Sequence, residues 1–383
     1  MMVSNVVVYG FSVAAARLLV PAELGALTAL LGILLIGNVL SLGLQAATAR
    51  RLSVAPEQAD DVVAVVQRVM LVAGGVAGCA VALSTVALTP ILKLDTYWAV
   101  VLCGLTLVPL TVMGAAAGVA QGSSRWRALS AIYVANGLGR LVGGVVALLI
   151  EPSATSAMIG ILVGAFAPVV VGLPVMRAHG HTGEVISRRP FVAEAFLGTH
   201  ALLAYFVLSS LDALIARNRF DEHVSGLYAA GLILTKAALF MPQFISVVLF
   251  PDLARATSTA AKVRAAGLVA AFGAAAVAAT WLLQPVALAV VGGSQYEEVQ
   301  GRLWLFALSG SVLAVVHLLV FDALARHSHG VTALLWVGAA AVLAISYGFD
   351  LHLTGLVVTV TCVSASVAVA SWFLPQRRPR QTV

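Results

Sequence analysis

Uncharged apolar runs of about twenty residues recur from one end of this chain to the other. A bilayer core about 30 Å thick is crossed by a helix of about this length. Because lipid offers the backbone no hydrogen-bonding partners, such segments satisfy their amides within helices. The pattern predicts an all-α polytopic membrane protein with about twelve spans, at residues 2–19, 25–47, 62–91, 96–121, 127–150, 154–176, 193–216, 224–250, 264–291, 299–325, 330–349 and 353–374.

The composition leaves little room for a soluble domain. Of the 383 residues, 61% are hydrophobic and 10% charged, against about 45–50% and about 25% in soluble domains. The basic residues behind the net charge of +6 are scattered through short loops, which does not indicate a nucleic-acid partner. Cys79, Cys103 and Cys362 lie in apolar runs without a CxxC pair, so neither a metal nor another cofactor is expected.

The longest polar connection, RAHGHTGEVISRRP, divides the chain near its middle. We therefore predict an N-terminal six-helix lobe (1–178), a cytoplasmic inter-lobe loop (179–190), a C-terminal six-helix lobe (191–374) and a basic cytoplasmic tail (375–383). The first span is short and lacks the small-residue cleavage site of a signal peptide, so we interpret it as a true helix. Whether its beginning is missing stays open.

Orientation follows from the short loops, since Lys and Arg concentrate on the cytoplasmic side of membrane proteins. With a cytoplasmic N-terminus, the inside loops hold most of the basic residues, and the outside loops hold only Arg17, Lys93, Arg217, Arg219 and Arg302. The bias predicts that both termini face the cytoplasm.

A weak internal repeat relates the two halves. ELGALTALLGILLIGNVLSLGLQAATARRL and HVSGLYAAGLILTKAALFMPQFISVVLFPDLAR share a Gly at the helix entrance, Gly25 and Gly226, and a basic exit, Arg50 and Arg255. Parallel repeats of this kind are common in transporters, where the substrate path lies between the halves. The alternative is that the restricted composition of membrane helices makes any two of them look alike.

Two cations are predicted near the middle of the membrane, Arg140 in the fifth span and Lys236 in the eighth. A charge at this depth costs about 2.5–3.5 kcal/mol on insertion scales and usually faces a bundle interior or a watery cavity. One interpretation is that both line a central cavity and bind an anionic substrate group. In the other, a buried carboxylate or backbone carbonyl neutralises each and fixes helix packing. Neither span has an acid at similar depth, but another helix could supply one.

Further polar residues fall inside the predicted spans. Asp212 and Asp322 lie near span ends and are candidates for a gate or for proton or cation coupling, with interfacial solvation as the alternative. Others could line a sugar path or, more commonly, hydrogen-bond between helices; these are Asn38, Gln45, Gln121, Asn136, Gln243 and His317. The glycine-rich GLGRLVGG around Arg140 follows no strand, so it predicts close helix packing instead of a phosphate loop.

The stretch AARLLVPAELGALTALLGILLIGNVLSLGLQAATARRLS resembles the first helical hairpin of Wzx-like oligosaccharide flippases of polysaccharide biosynthesis, in the multidrug/oligosaccharidyl-lipid/polysaccharide (MOP) exporter superfamily. LDALIARNRFDEHVSGLYAAGLILTKAALFMPQFISVVLFPDLA is similar to their helices 7 and 8. The resemblance implies two six-helix lobes around a central cavity, in a multi-pass protein of a bacterial cytoplasmic membrane. It further implies alternating access that moves a polyprenyl-diphosphate-linked oligosaccharide between leaflets.

In such proteins a cationic cavity receives the diphosphate and glycan, and Lys236 matches a position that is often basic. The implied partners are the lipid-linked glycan, membrane lipid and a glycan polymerase or glycosyltransferases. The main alternative is a Na⁺- or H⁺-coupled multidrug exporter of the same superfamily, which the basic central charges disfavour. An integral-membrane glycosyltransferase or ligase would need a large catalytic loop, and the chain has no P-loop, GxSxG or HExxH motif, so we do not expect an enzyme.

Overall fold

A computed structural model describes residues 2–177, 199–240, 259–325 and 329–374. Within these ranges the chain is helical and contains no β-strand. Ten of the described helical segments are long and apolar enough to cross a membrane. The prediction of an all-α polytopic membrane protein is confirmed.

The chain divides into two compact units. The first comprises Met1–Leu19 and Ala26–His200. Its described helices, together with a 3₁₀ turn at Pro56–Gln58, are α1 (Met2–Leu18), α2 (Pro21–Gly37), α3 (Val39–Val54), α4 (Ala59–Leu83), α5 (Thr85–Ile91), α6 (Trp98–Gly122), α7 (Trp126–Ile150), α8 (Ala154–Gly164) and α9 (Phe166–Arg177).

The second unit comprises Val20–Gly25 and Ala201–Val383. Its described helices, with a 3₁₀ segment at Ser294–Arg302, are α10 (199–208), α11 (Leu211–Arg219), α12 (Glu222–Phe240), α13 (Thr259–Leu282), α14 (Gln284–Val290), α15 (Leu303–Ala325), α16 (His329–Gly348) and α17 (Leu353–Phe373). The predicted inter-lobe loop and basic tail lie outside the described residues.

The first turn of α2 groups with the second unit, which the sequence analysis did not predict. Arg217 explains part of this grouping, because its guanidinium donates a hydrogen bond to the carbonyl of Ala22 over 3.1 Å. The two glycines aligned by the repeat also meet here, since a Cβ on Gly25 would lie 3.2 Å from the amide nitrogen of Gly226.

Each predicted span coincides with helical structure where the chain is described, but several consist of two helices. The span predicted at 25–47 breaks at Asn38, between α2 and α3, and the span predicted at 193–216 breaks at residues 209–210, between α10 and α11. Periodicity cannot reveal such breaks, because an apolar run reads the same on both sides of a local interruption.

Close glycine contacts set the packing of the first unit. On α7, Gly139 lies against the carbonyl of Gly164 and Gly143 against that of Gly160, both on α8. Glycine four residues apart lets two backbones approach where larger side chains would separate them. The prediction that GLGRLVGG permits close helix packing is confirmed.

Replacing Gly143 with leucine should destabilise the protein by about 1–3 kcal/mol, the usual cost of overpacking, because the new side chain would collide with backbone. Thermal unfolding in detergent would measure the loss. The matched control is Gly75→Leu on α4, where a Cβ meets nothing within 4 Å. Equal melting temperatures for the two variants would contradict this account of the α7–α8 contact.

The long helix α15 is central to the second unit. It packs against α12, α13 and α17, and the side chains of Phe306, Leu313 and Val320 are fully buried. A helix surrounded in this way presents little surface to lipid. It therefore provides a fixed wall against which α12 and α13 position their own side chains.

Candidate functional site

Arg140 lies midway along the 25-residue helix α7. Its Cζ atom is 5.4 Å from the centroid of the Phe11 ring on α1, which is cation–π distance. Local packing explains this pairing, since Gly144, one turn further along the same face of α7, lies against the same ring.

The guanidinium of Arg140 is only partly satisfied. Its Nε atom is buried and has no hydrogen-bond partner, and no ion pair joins Arg140 to a carboxylate in the described part of the chain. A cation–π contact is worth about 0.5–2 kcal/mol, less than the cost of placing the charge at mid-membrane depth. The first unit therefore holds a cation that its described residues leave uncompensated.

Two predicted polar residues lie elsewhere along the same unit. Asn136 is one turn before Arg140 on α7 and therefore shares its face. Asn38 occupies the break between α2 and α3, where its N–H donates to Leu34 over 2.9 Å and its carbonyl accepts from Leu42 over 3.2 Å. Asn136 is thus the polar neighbour of Arg140 on α7, whereas Asn38 joins α2 to α3 with its own helical hydrogen bonds kept.

Gln45 belongs to a hydrogen-bond network between three helices. Its Nε2 donates to Oε1 of Gln121 on α6 over 2.9 Å, and its Oε1 accepts from the hydroxyl of Tyr133 on α7 over 2.9 Å. Gln45 is 7% exposed. These contacts match the interhelical role that the sequence analysis considered the commoner one.

Lys236 projects from α12 toward the break between α10 and α11. Its ammonium donates to the carbonyl of Ser209 over 2.9 Å. In an uninterrupted helix this carbonyl would accept from the amide of residue 213. Here the Ala213 amide donates instead to Oδ1 of Asp212 over 2.8 Å. The break in the helix therefore leaves the Ser209 carbonyl without a backbone donor, and the Lys236 ammonium donates to it instead.

Asp212 supplies the negative charge near Lys236. Asp212 is 2% exposed, and its charge acts on the Lys236 ammonium without a direct ion pair between the two side chains in the described structure. Its Oδ2 also accepts from the hydroxyl of Tyr228, over 3.3 Å. Asp212 on α11 is therefore the residue that would neutralise Lys236 in the alternative interpretation, in which an acid from another helix does so.

Aromatic packing holds the donor of this cluster in place. Tyr228 is fully buried, and its ring makes an edge contact with Phe306 on α15, with centroids 5.1 Å apart. The fixed ring aims its hydroxyl at Asp212, so the carboxylate accepts from an amide and a hydroxyl while the ammonium binds the neighbouring Ser209 carbonyl.

The remaining candidates do not join this cluster. Asp322 lies in the last turn of α15 and is absent from the described contacts of Asp212. His317, 7% exposed, lies between the rings of Tyr205 and Phe321, at 4.9 Å and 4.8 Å. Gln243 lies outside the described residues.

Three contributors were missed from sequence: Phe11, Ser209 and Tyr228. An aromatic in an apolar run carries no signal that it will face a cation. The pair Ser209–Ser210 was the one usable hint, because two serines can mark a kink in a helix.

The two cations therefore differ electrostatically. Within the described residues, the first unit holds Arg140 without a carboxylate, and the second holds Lys236 beside Asp212, which makes that pair nearly neutral. Arg140 is the better placed of the two to attract an anion, and Asp212 is the better placed to exchange a proton or a cation if Lys236 moves.

No protein-family model matches the chain, and no curated protein matches it. Solved structures do resemble it. The lipid II flippase MurJ, in an inward closed conformation, superposes with a TM-score of 0.73 over 98% of this chain and 86% of MurJ, at 9% sequence identity.

Two MATE structures are also similar. MATE in complex with MaD5 gives a TM-score of 0.61 at 14% identity, over 97% of this chain and 92% of MATE. The MATE multidrug transporter DinF-BH gives 0.60 at 14% identity, over 97% and 91%. These neighbours are transport proteins. At these identities the likeness shows the fold alone, which this chain shares with MurJ and MATE.

Proposed function

We propose that this chain is a membrane transporter that moves a lipid-linked oligosaccharide, carried on a polyprenyl diphosphate, between the leaflets of a bacterial cytoplasmic membrane. The observation that carries this proposal is Arg140, a mid-span guanidinium with no carboxylate partner in the described chain. A diphosphate is the natural counter-charge for such a group, because guanidinium binds phosphate oxygens in bidentate geometry. The fold shared with a lipid II flippase supports the assignment.

In this mechanism the cation lowers the barrier for the head group while the polyprenyl tail stays in lipid. Arg140 receives the diphosphate, and Asn136, one turn away, offers an amide to phosphate or sugar. Lys236 contributes only after its ammonium leaves the Ser209 carbonyl and Asp212. Access alternates between the two sides, both termini stay cytoplasmic, and no covalent bond forms or breaks. A glycan polymerase or glycosyltransferase would act on the lipid-linked glycan before or after transport.

The second candidate is a Na⁺- or H⁺-coupled exporter of cationic drugs. It is favoured by Asp212, a carboxylate 2% exposed within a span, because intramembrane acids commonly bind coupling ions. The likeness to a MATE multidrug transporter supports this alternative equally at the level of the fold.

Transport in proteoliposomes distinguishes the two. A polyprenyl-diphosphate oligosaccharide labelled in its sugar is placed in both leaflets, and its loss from the leaflet open to an added glycosidase is followed with time. A cationic dye is followed in parallel under imposed Na⁺ and pH gradients. We expect movement of the glycan lipid and no gradient-driven movement of the dye. Dye transport without glycan transport would replace the proposal with the exporter.

A further inference from the structure

The second unit contains an apolar groove between α13 and α15 that the proposed transport mechanism does not use. Its volume is about 600 Å³. The lining runs from Ala270 to Trp281 on α13 and from Trp304 to Val315 on α15. The small side chains of Ala274 and Ala278 are exposed on the α13 side, which leaves room between the two helices.

Away from the two tryptophans at one end, the lining offers no free polar group. Its one hydroxyl, on Ser311, already donates to the carbonyl of Ala307 over 2.7 Å. A polar ligand would therefore lose hydrogen bonds on entering, whereas hydrocarbon would lose none. In a helix pair that crosses a membrane, the chemistry of this surface selects a lipid chain.

The length of the groove matches one leaflet. Eleven residue steps on each helix span about 16 Å, and half of a hydrocarbon core is about 15 Å. Trp281 and Trp304 lie together at one end, and tryptophan prefers the membrane interface, where its N–H reaches polar head groups. The groove thus extends from the interface to the bilayer midplane.

Charge at the same end agrees with a phospholipid. Arg302, two residues before Trp304, is exposed and has no ion-pair partner in the described structure. Glu298 in the same connection pairs with His223 at 3.0 Å. Glu297 is also exposed there, so this end is not strongly basic, and Arg302 is the cation that it offers to a phosphate.

We propose that this groove is a binding site for one acyl chain of a glycerophospholipid, with the phosphate at Arg302. The match to a single leaflet favours an acyl chain over a polyprenyl chain, which is longer than one leaflet. The groove contains neither Arg140 nor Lys236, so a test of lipid binding there does not depend on the identity of the transported substrate.

Tryptophan quenching by a phospholipid with brominated acyl chains tests the site. The four tryptophans outside the groove, Trp98, Trp126, Trp336 and Trp372, are replaced by phenylalanine, so that only Trp281 and Trp304 report. Brominated lipid is titrated into the delipidated full chain in detergent. We expect saturable quenching, with affinity at least about tenfold lower, about 1.4 kcal/mol, in Ala274→Phe.

Ala340→Phe, at an exposed alanine on α16, is the matched control and should bind as the parent does. Arg302→Gln should weaken binding without filling the groove. If the variant that keeps only Trp281 and Trp304 fails to fold, native mass spectrometry can count bound phospholipids instead. Ala274→Phe, Ala340→Phe and Arg302→Gln are then each made in the chain with all six tryptophans. If quenching increases in proportion to the lipid concentration without saturating, and to the same extent in every variant, no specific site exists and the proposal is overturned. Preferential displacement by a polyprenyl phosphate would assign the groove to a different lipid.

Discussion

Arg140→Gln should reduce transport of the glycan lipid by at least about tenfold while making the fold more stable. The transport loss follows because a neutral amide cannot replace a guanidinium on phosphate, and a difference of about 1.4 kcal/mol in binding already amounts to a factor of ten. The gain in stability follows because the mutation removes a mid-membrane charge that no described carboxylate compensates.

The opposite signs separate a functional role from a structural one. A residue that only fixed helix packing would lower stability when replaced and leave the transport rate per folded molecule unchanged. Substitutions that raise stability while lowering activity are typical of functional sites. Translocation rate and thermal unfolding, measured on the same purified protein, give both quantities.

Two controls sharpen the comparison. Arg140→Lys keeps the charge but loses the bidentate geometry, so transport should fall less than in Arg140→Gln. Arg68→Gln removes an exposed arginine from α4 and should leave transport within twofold of the parent. Parental transport by Arg140→Gln would remove Arg140 from the mechanism, and with it the observation on which the proposed substrate rests.

Lys236→Met should destabilise the protein by about 1–3 kcal/mol, the usual cost of leaving buried polar groups without their partners. The substitution leaves the Asp212 carboxylate without its nearby cation and the Ser209 carbonyl without its donor. Chemical or thermal unfolding in detergent, read by intrinsic fluorescence, would measure the change.

The double variant Lys236→Met with Asp212→Asn tests whether charge is the cause. Asparagine keeps an oxygen for the Ala213 amide and removes the unpaired charge, so the double variant should recover a large part of the lost stability. The expected coupling energy lies at about 0.5–3 kcal/mol, the range for residues in one network. Strictly additive effects would show that the two charges do not stabilise each other.

A third member of the cluster provides the matched control. Tyr228→Phe keeps the packing on Phe306 and removes only the hydroxyl that Asp212 accepts. Tyr228→Phe should lower the free energy of unfolding by about 1 kcal/mol, the contribution of one hydrogen bond. A loss as large as that of Lys236→Met would assign the stability of this region to the tyrosine.

The sequence located the charged candidates because a charge in an apolar run is visible without any knowledge of its neighbours. Arg140 and Lys236 were identified in this way, and both lie well inside helices in the structure. Their partners could not be identified. Asp212 was noticed as a separate candidate near a span end, and only the break at residues 209–210 and the approach of α12 bring it to Lys236.

The sequence analysis offered the same two interpretations for both cations, because it could not see their surroundings. Both have the same depth and charge in sequence, yet one meets a ring and the other a carbonyl and a carboxylate. Which face of a helix meets which neighbour depends on how it is rotated. Glycine contacts such as those of α7 with α8 set that rotation, and composition does not encode it.

The sequence by itself determined that this chain spans a membrane, is all-helical and carries a few charges within its spans. It could do so because the free-energy cost of exposing backbone or charge to lipid is a local property of each segment. The tertiary structure alone decided which charge is paired, where spans break and where a groove opens between α13 and α15, because these depend on the packing of distant helix faces.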